Sequence, residues 1–424
     1  MGAPRDKHGR AAFAFVFVTV ALDMLALGVM IPVLPELVKE LSGGDMASAV
    51  ETSGVFSFAW ATMQFLFSPL LGALSDRFGR RPVFLISNAG LGLDYLLMAN
   101  APSLAWLFVG RVISGITAAS FSTAGAYIAD VTPHEERAAR FGQLGAAFGL
   151  GFVVGPAIGG VLGEISLRLP MWVAAILSLV NFAYGLFVLP ESLAPEHRSP
   201  LTLAKANPVG SLSLFRSERV LFGLAVVAFV ELLAHAVLPS VFVLYADARY
   251  GWHEREVGLV LGLIGVSSTI VGVVMVGPIV RRFGERATLA AGLGLGALGL
   301  ALYALADEGW LFLVGTVPVA LWGLGGPPEQ AIMSRIVGPS AQGQLQGGLS
   351  SLQGISGMIA PLVYSRLLAA ALRAEGPWRV VGAPFWLAAA LLGIATLVAW
   401  RVTRAVPPEG PVAETHDSPP PSTG

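Results

Sequence analysis

Asp23 is the one charged residue between Arg10 and Glu36, in a run reading Val20-Ala-Leu-Asp-Met-Leu-Ala-Leu-Gly-Val-Met-Ile-Pro-Val-Leu-Pro35. A second acid, Asp94, stands in Leu91-Gly-Leu-Asp-Tyr-Leu-Leu97, and a cation, Arg111, in Phe108-Val-Gly-Arg-Val-Ile-Ser-Gly115. A carboxyl group taken out of water can take up and release a proton, whereas a guanidinium keeps its charge and needs an acid or a carbonyl as partner. The chemistry on offer is proton transfer and ion-pair exchange. The other reading of each acid is a satisfied polar contact between helices, and of Arg111 a side chain that snorkels to an interface. Gln64, in Trp60-Ala-Thr-Met-Gln-Phe65, can hydrogen-bond a ligand or a neighbouring helix. Glu231 and His235 are four apart and share one helical face, as a mutually satisfied pair or as a second protonatable site. Glu329, after Gly325-Gly-Pro-Pro328, reads as a residue in water at a helix end, the alternative being a position near a broken turn that reaches a cavity.

These residues need elements that hold them in an apolar medium. The chain has 424 residues, of which 55% are hydrophobic and 12% charged. A soluble domain carries about 25% charged residues, so this composition leaves too little polar surface for one. Apolar runs of roughly 20 residues, long enough to cross a bilayer, recur along the chain. Twelve spans are expected, at 11–34, 51–74, 82–99, 104–128, 141–163, 170–189, 220–245, 256–280, 287–305, 310–333, 344–370 and 380–402. They divide into an N-terminal bundle, 11–189, and a C-terminal bundle, 220–402. The polar stretch 190–219 joins them, 1–10 precedes them, and a Pro/Ser/Thr-rich tail, 403–424, is expected to be disordered. The first run is too long for a signal-peptide core and carries Asp23 at its middle, so it reads as an uncleaved helix. No cysteine is present, which removes disulfides, thiolate metal sites and cysteine nucleophiles. No HExxH, Walker A or GxSxG motif in its proper context occurs, so neither an enzyme nor direct ATP coupling is indicated.

Between the second and third spans lies Gly72-Ala-Leu-Ser-Asp-Arg-Phe-Gly-Arg-Arg81, read as a tight hydrophilic turn in which Gly79 can take a positive φ. It returns 205 residues later as Gly277-Pro-Ile-Val-Arg-Arg-Phe-Gly-Glu-Arg286. The repeat indicates two related halves in the same orientation. With the N-terminus placed in the cytoplasm, eighteen lysines and arginines fall on the inner side and six on the outer, so both termini are expected to be cytoplasmic. The fifth span carries Gly145, Gly149, Gly151, Gly155, Pro156, Gly159, Gly160 and Gly163. Their i,i+4 spacing lets another helix approach closely, and Pro156 permits a bend.

In these motifs the chain resembles the major facilitator superfamily. Gly72–Arg81 is similar to the signature loop of that superfamily, and Asp130 with Glu136, Arg137 and Arg140 to its fourth-to-fifth loop. Gly151-Phe-Val-Val-Gly-Pro-Ala-Ile-Gly-Gly160 resembles the antiporter motif of drug–proton exchangers. Asp23 with Pro32 and Pro35, Asp94-Tyr-Leu-Leu97 and Gly343-Gln-Leu-Gln-Gly347 resemble the tetracycline–proton antiporters. The likeness runs from about residue 21 to about 364. It implies an all-α membrane fold of twelve helices in two parallel six-helix repeats. Gly72, Asp76, Arg77, Gly79, Arg80, Arg81 and Asp130 would form a cytoplasmic gate. Asp23, Asp94 and Arg111 would take part in proton coupling or substrate charge sensing, with Gln64 facing the substrate path. The family pattern departs at two positions, where Ser268 replaces a histidine and Gly296 an acid; Glu231, His235 and Glu329 are polar groups that could stand in.

The expectation is a proton-driven antiporter of the plasma membrane that exports an amphipathic, tetracycline-like molecule by alternating access. Its partners would be the substrate, protons and the lipid bilayer, with no nucleic acid, no metal and no cofactor, and the working unit a monomer. The alternatives are a symporter or facilitator that imports a metabolite, and a receptor or scaffold without flux. If the loop is a gate, Asp76→Asn should cost more transport than Glu285→Gln, because only the first copy keeps an acid at position 76.

Overall fold

The protein is described from a computed structural model, which covers residues 5–118, 120–132, 137–198, 207, 209–338, 341–376 and 380–405. The tail from 406, Glu136 and linker residues 199–206 lie outside these. The described part of the chain is helical. The first span is α1 (Arg5–Met30), starting six residues before the apolar run, and α2 (Leu34–Leu41). Pro32 lacks the donor that would continue α1, and Pro35 sits where a helix start tolerates it. The second span, α3 (Met46–Phe78), opens on Asp45, whose carboxylate accepts the Ser48 N–H at 2.8 Å. At 1.5 Å per residue α3 is about 50 Å long, more than a hydrocarbon core needs, so its ends reach the polar zones.

The third to sixth spans are α4 (Arg80–Ala99), α5 (Leu104–Thr117) with α6 (Ser120–Val131), α7 (Arg137–Ile165) and α8 (Leu169–Val188). After a 3-10 turn at Gly210–Arg216 come α9 (Arg219–His235) and α10 (Val237–Tyr250), which share the seventh span. The eighth and ninth form a nearly unbroken run, α11 (Glu254–Ile270), a π turn at Val271–Met275 and α12 (Val276–Leu305). The tenth is α13 (Gly309–Leu321), a 3-10 turn at Trp322–Leu324 and α14 (Gly326–Val337); α15 (Gln342–Arg373) and α16 (Ala383–Val402) complete the set. Among the described residues, ten continuous segments are long and apolar enough to cross a membrane. One of them, 254–305, divides at Gly284, and the shorter α5 with α6 supplies the fourth crossing, which gives twelve.

The interruptions repeat with the same 205-residue period as the charged loop. Gly79 (φ 108°, ψ 162°) matches Gly284 (φ 78°, ψ 161°), a conformation open to glycine and strained for other residues. The break at 31–33 matches that at Ala236, and the break at Ala118 matches the 3-10 turn at 322–324. The stretch 72–81 is therefore not a turn over its length: 72–78 complete α3, and the reversal is made at Gly79 alone. Gly72 is helical with open space around its Cα, so nothing there demands glycine. The fourth span, expected as one helix, is broken at Ala118.

Between the halves, α3 packs along α15 and α7 along α11. Three ion pairs tie the halves at the end away from Gly79: Lys39–Asp247, Glu51–Arg373 (2.5 Å) and Glu164–Arg255 (3.8 Å). At the Gly79 end the ion pairs among the described residues stay within one half. The molecule is held shut at one end.

Candidate functional site

Asp23 is buried in the first half, where α1, α4 and α8 meet. Asn181 of α8 donates to its Oδ1 at 2.8 Å and to the Thr19 carbonyl at 3.1 Å. The Asn88 amide of α4 faces both carboxylate oxygens, at 2.9 and 3.1 Å, and is assigned with its nitrogen toward them because the opposite orientation sets oxygen against oxygen. Neutral amide donors can serve the acid in either protonation state, because an amide can also turn its oxygen to a carboxylic proton. Asp94, fully buried on α4, pairs directly with Arg111 of α5. Gly110, beside Arg111, leaves the room that Asp94 Oδ1 fills, since a Cβ there would press on that oxygen. Tyr95, next to Asp94 in the chain, is also fully buried. Arg111 is 9% exposed and does not snorkel. Asn88 and Asn181 were not singled out from the sequence; the signal that could have found them is a lone amide in each of two apolar spans.

The charged loop forms a second, separate constellation. Arg80 bridges Asp76 (2.5 Å) and Asp130 (2.9 Å), and Ser192 donates to the same oxygen of Asp130 at 3.1 Å. Glu191, just after α8, accepts the backbone N–H of Arg80 at 2.8 Å and of Arg81 at 3.3 Å, capping α4 from a distance of over a hundred residues. A side chain at Gly79 would strike that carboxylate. Arg81 donates to the Leu186 carbonyl at 2.6 Å. Arg77 does not join them and lies over its neighbour Phe78. The network welds α3, α4, α6 and the end of α8 into one piece.

In the second copy the charges are inverted. Arg281, Glu285 and Arg335 stand 205 residues after Asp76, Arg80 and Asp130. Glu285 and Arg335 form a two-pronged pair, at 2.8 and 2.6 Å. The polarity differs, yet the same two elements are joined.

The glycines of α7 serve two faces. Gly151, Gly155 and Gly159 lie against Met24, Gly28 and Val29 of α1; a Cβ on Gly155 would come within 2.6 Å of the Gly28 Cα. Gly160 and Pro156 lie against the start of α11 in the other half, where a Cβ on Gly258 would meet the Gly160 Cα at 3.2 Å. The motif therefore sits at the junction of the halves, and α7 runs through Pro156 as one helix.

Glu231 and His235 do not bond each other. Glu231, half-buried, accepts the Trp322 indole N–H at 2.8 Å. Glu329, 6% exposed, is buried in the protein rather than a helix-end residue in water. His235 packs edge-on to Trp322 (5.3 Å between ring centroids). Its own surface is exposed. Gln64 is half-buried on α3, the helix that packs along α15, and makes no side-chain hydrogen bond with a described residue.

Two like halves, apolar outside and carrying buried acids and a buried arginine inside, define a polytopic membrane transporter rather than an enzyme. The Major Facilitator Superfamily model matches residues 16–274 and 224–423. The chain is 40% identical to the class C tetracycline resistance protein of Escherichia coli, covering 89% of this chain and 94% of that protein. It is 34% identical to the class B protein of the same organism, over 88% and 92%. In fold it superposes on a D-xylose–proton symporter with a TM-score of 0.72 at 18% identity, covering 92% and 97%. It superposes on a human organic anion transporter with a TM-score of 0.68 at 24% identity, covering 92% and 99%. The chain belongs to the major facilitator superfamily and, within it, to the group of the tetracycline resistance proteins.

Proposed function

We propose that this protein exports an amphipathic, tetracycline-like small molecule in exchange for protons, from the inner membrane and with both termini in the cytoplasm. The observation that carries the mechanism is the buried Asp94–Arg111 pair beside the amide-held Asp23. Protonating Asp94 cancels its attraction for Arg111, which then needs another partner; a substrate oxygen or a neighbouring carbonyl can take that place. Asp23 carries its proton within a donor set that tolerates both charge states. Proton and substrate thus compete for one network, which is what obligatory exchange requires. The relatives named for tetracycline resistance support the substrate class.

In this reading residues 11–189 and 220–402 rock as two bodies about the α3–α15 and α7–α11 seams. The ion pairs at the closed end then stand on the outer side, and the described state opens inward. Gln64 would face the substrate path from α3. One charge moved per cycle would draw ~2.3 kcal/mol per 100 mV from the membrane potential.

The test is uptake of labelled tetracycline into everted vesicles under an imposed pH gradient. Wild type should accumulate it and lose it on adding an uncoupler, whereas Asp23→Asn and Asp94→Asn should insert normally and accumulate none. Uncoupler-sensitive uptake by both variants would remove these acids from the mechanism. A susceptibility panel in a strain without its own exporters would define the range of substrates.

A further inference from the structure

The loops at Gly79 and Gly284 are one element in two copies, and they differ in what meets them from the last helix of each half. In the first half Arg81 donates to the Leu186 carbonyl near the end of α8. Glu191, five residues beyond Leu186, sets its carboxylate on the backbone N–H groups of Arg80 and Arg81. In the second half Arg286 donates to the Trp400 carbonyl near the end of α16, at 3.4 Å. Five residues beyond Trp400 stands Ala405, so the acid has no counterpart at that register. A Cβ on Gly79 would strike Glu191, whereas one on Gly284 would meet nothing within 4 Å.

Positive charge is left over at this corner. Residues 273–286 and 394–405 carry Arg281, Arg282, Arg286, Arg401 and Arg404 against a single acid, Glu285, and both oxygens of Glu285 are taken by Arg335. The Arg286 guanidinium lies over the Trp400 ring, 4.2 Å from its centroid, and that of Arg404 approaches the same ring at 5.9 Å. Neither arginine makes an ion pair with a described acid. Two like charges that converge on one indole repel each other, and an anion between them relieves that repulsion. Ile394 and Leu397 precede Trp400 on the same face of α16, and all three are exposed. An apolar strip that ends in an indole and two guanidiniums matches a phospholipid in order: acyl chain, interface, phosphate.

We propose that this corner binds an anionic phospholipid, with its phosphate held by Arg286 and Arg404 at the position that corresponds to Glu191 and an acyl chain lying along Ile394 and Leu397. The strip decides for a lipid over a free phosphate, which would satisfy the guanidiniums and leave the apolar face unused. That the lipid belongs to the inner leaflet rests on the orientation given above; the binding does not. The headgroup joins the start of the ninth span to the end of α16, as Glu191 joins the start of α4 to the end of α8. One half thus carries its own anionic brace, and the other takes it from the membrane.

The experiment is native mass spectrometry of the purified full-length protein in detergent, offered equal amounts of phosphatidylglycerol and phosphatidylcholine with the same acyl chains. Wild type should retain phosphatidylglycerol in preference. Arg404→Gln, a change at an exposed side chain that leaves the fold intact, should weaken that retention about fivefold, and Arg286→Gln with Arg404→Gln about twenty-five-fold. Arg198→Gln, at an exposed arginine of the linker, should leave it as it is. Full retention by the double variant, or equal retention of the two lipids by wild type, overturns the proposal. Displacement of the lipid by inorganic phosphate at matched ionic strength would reduce the corner to a site for a free anion and overturn it as well. The chain beyond 405 carries Glu409, Glu414 and Asp417. A chain ending at residue 405 that takes up phosphatidylglycerol where the full chain takes none would give the place to that tail and sink the lipid. No substrate or gradient enters the measurement, so it stands or falls apart from the exporter reading.

Discussion

At the scale of the residue, the first half sets two acids in different company. Asp94 is neutralised by a cation and Asp23 is held by amides, so the same residue type is given two tasks. Breaking a buried pair by removing one partner costs about 3–5 kcal/mol, because an uncompensated charge is left in a low-dielectric site. Asp94→Asn should therefore lower the melting temperature as well as abolish exchange. Adding Arg111→Gln to it should restore most of the stability and none of the transport. Restored transport in the double variant would mean that the pair serves packing alone. The charge-inverted loop pairs call for a second comparison. Glu285 is 13% exposed and meets Arg335 with both oxygens, whereas Asp76 is 41% exposed and shares Arg80 with Asp130. Glu285→Gln should cost more thermal stability than Asp76→Asn. The gate reading places the larger transport loss on Asp76→Asn, so stability and uptake assays on the two variants should rank them in opposite orders.

At the scale of the element, the helix interruptions are the conserved feature of the repeat, more than the residues around them. Gly79 and Gly284 share one backbone conformation, with positive φ and extended ψ, and forcing a side chain into that glycine region costs roughly 1–3 kcal/mol. Only Gly79 also faces a carboxylate, that of Glu191, while Gly284 has nothing within 4 Å. Gly79→Ala should consequently lower the unfolding temperature more than Gly284→Ala does. An equal shift would show that the Glu191 cap relaxes without loss. The glycines of α7 are explained by approach rather than by φ: the helix is regular, and small residues let α1 on one side and α11 on the other come to backbone contact.

At the scale of the molecule, the three ion pairs at the closed end are partly exposed. Such pairs are worth about 0–1 kcal/mol each, a fitting strength for a latch that must open in every cycle. Because 1.4 kcal/mol is tenfold in a population, removing one pair should shift the balance between states by about fivefold or less. Glu51→Gln is expected to increase labelling of a single cysteine introduced at the closed end, against a chain that has none of its own. Labelling that does not change would mean that helix packing, not charge, keeps that end shut. The same reagent, applied from either side of sealed vesicles to cysteines at positions 8 and 404, tests whether both termini are cytoplasmic.

The sequence by itself determined the medium, the number of crossings and the repeat, because bilayer thickness and the period of apolar runs are written in one dimension. It also marked Asp23, Asp94 and Arg111, since a charge inside an apolar run needs a reason wherever it lies. Tertiary structure decided who meets whom. Asn88 and Asn181 became the hands that hold Asp23, and Glu329 left the water at a helix end for a buried place on α14. Gly296, an absence in the sequence, became the seat of Trp322. These pairings depend on how helices rotate and break, and a single strand of residue types does not carry that information: a half-turn of α9 would have sent Glu231 elsewhere with the same sequence and the same span.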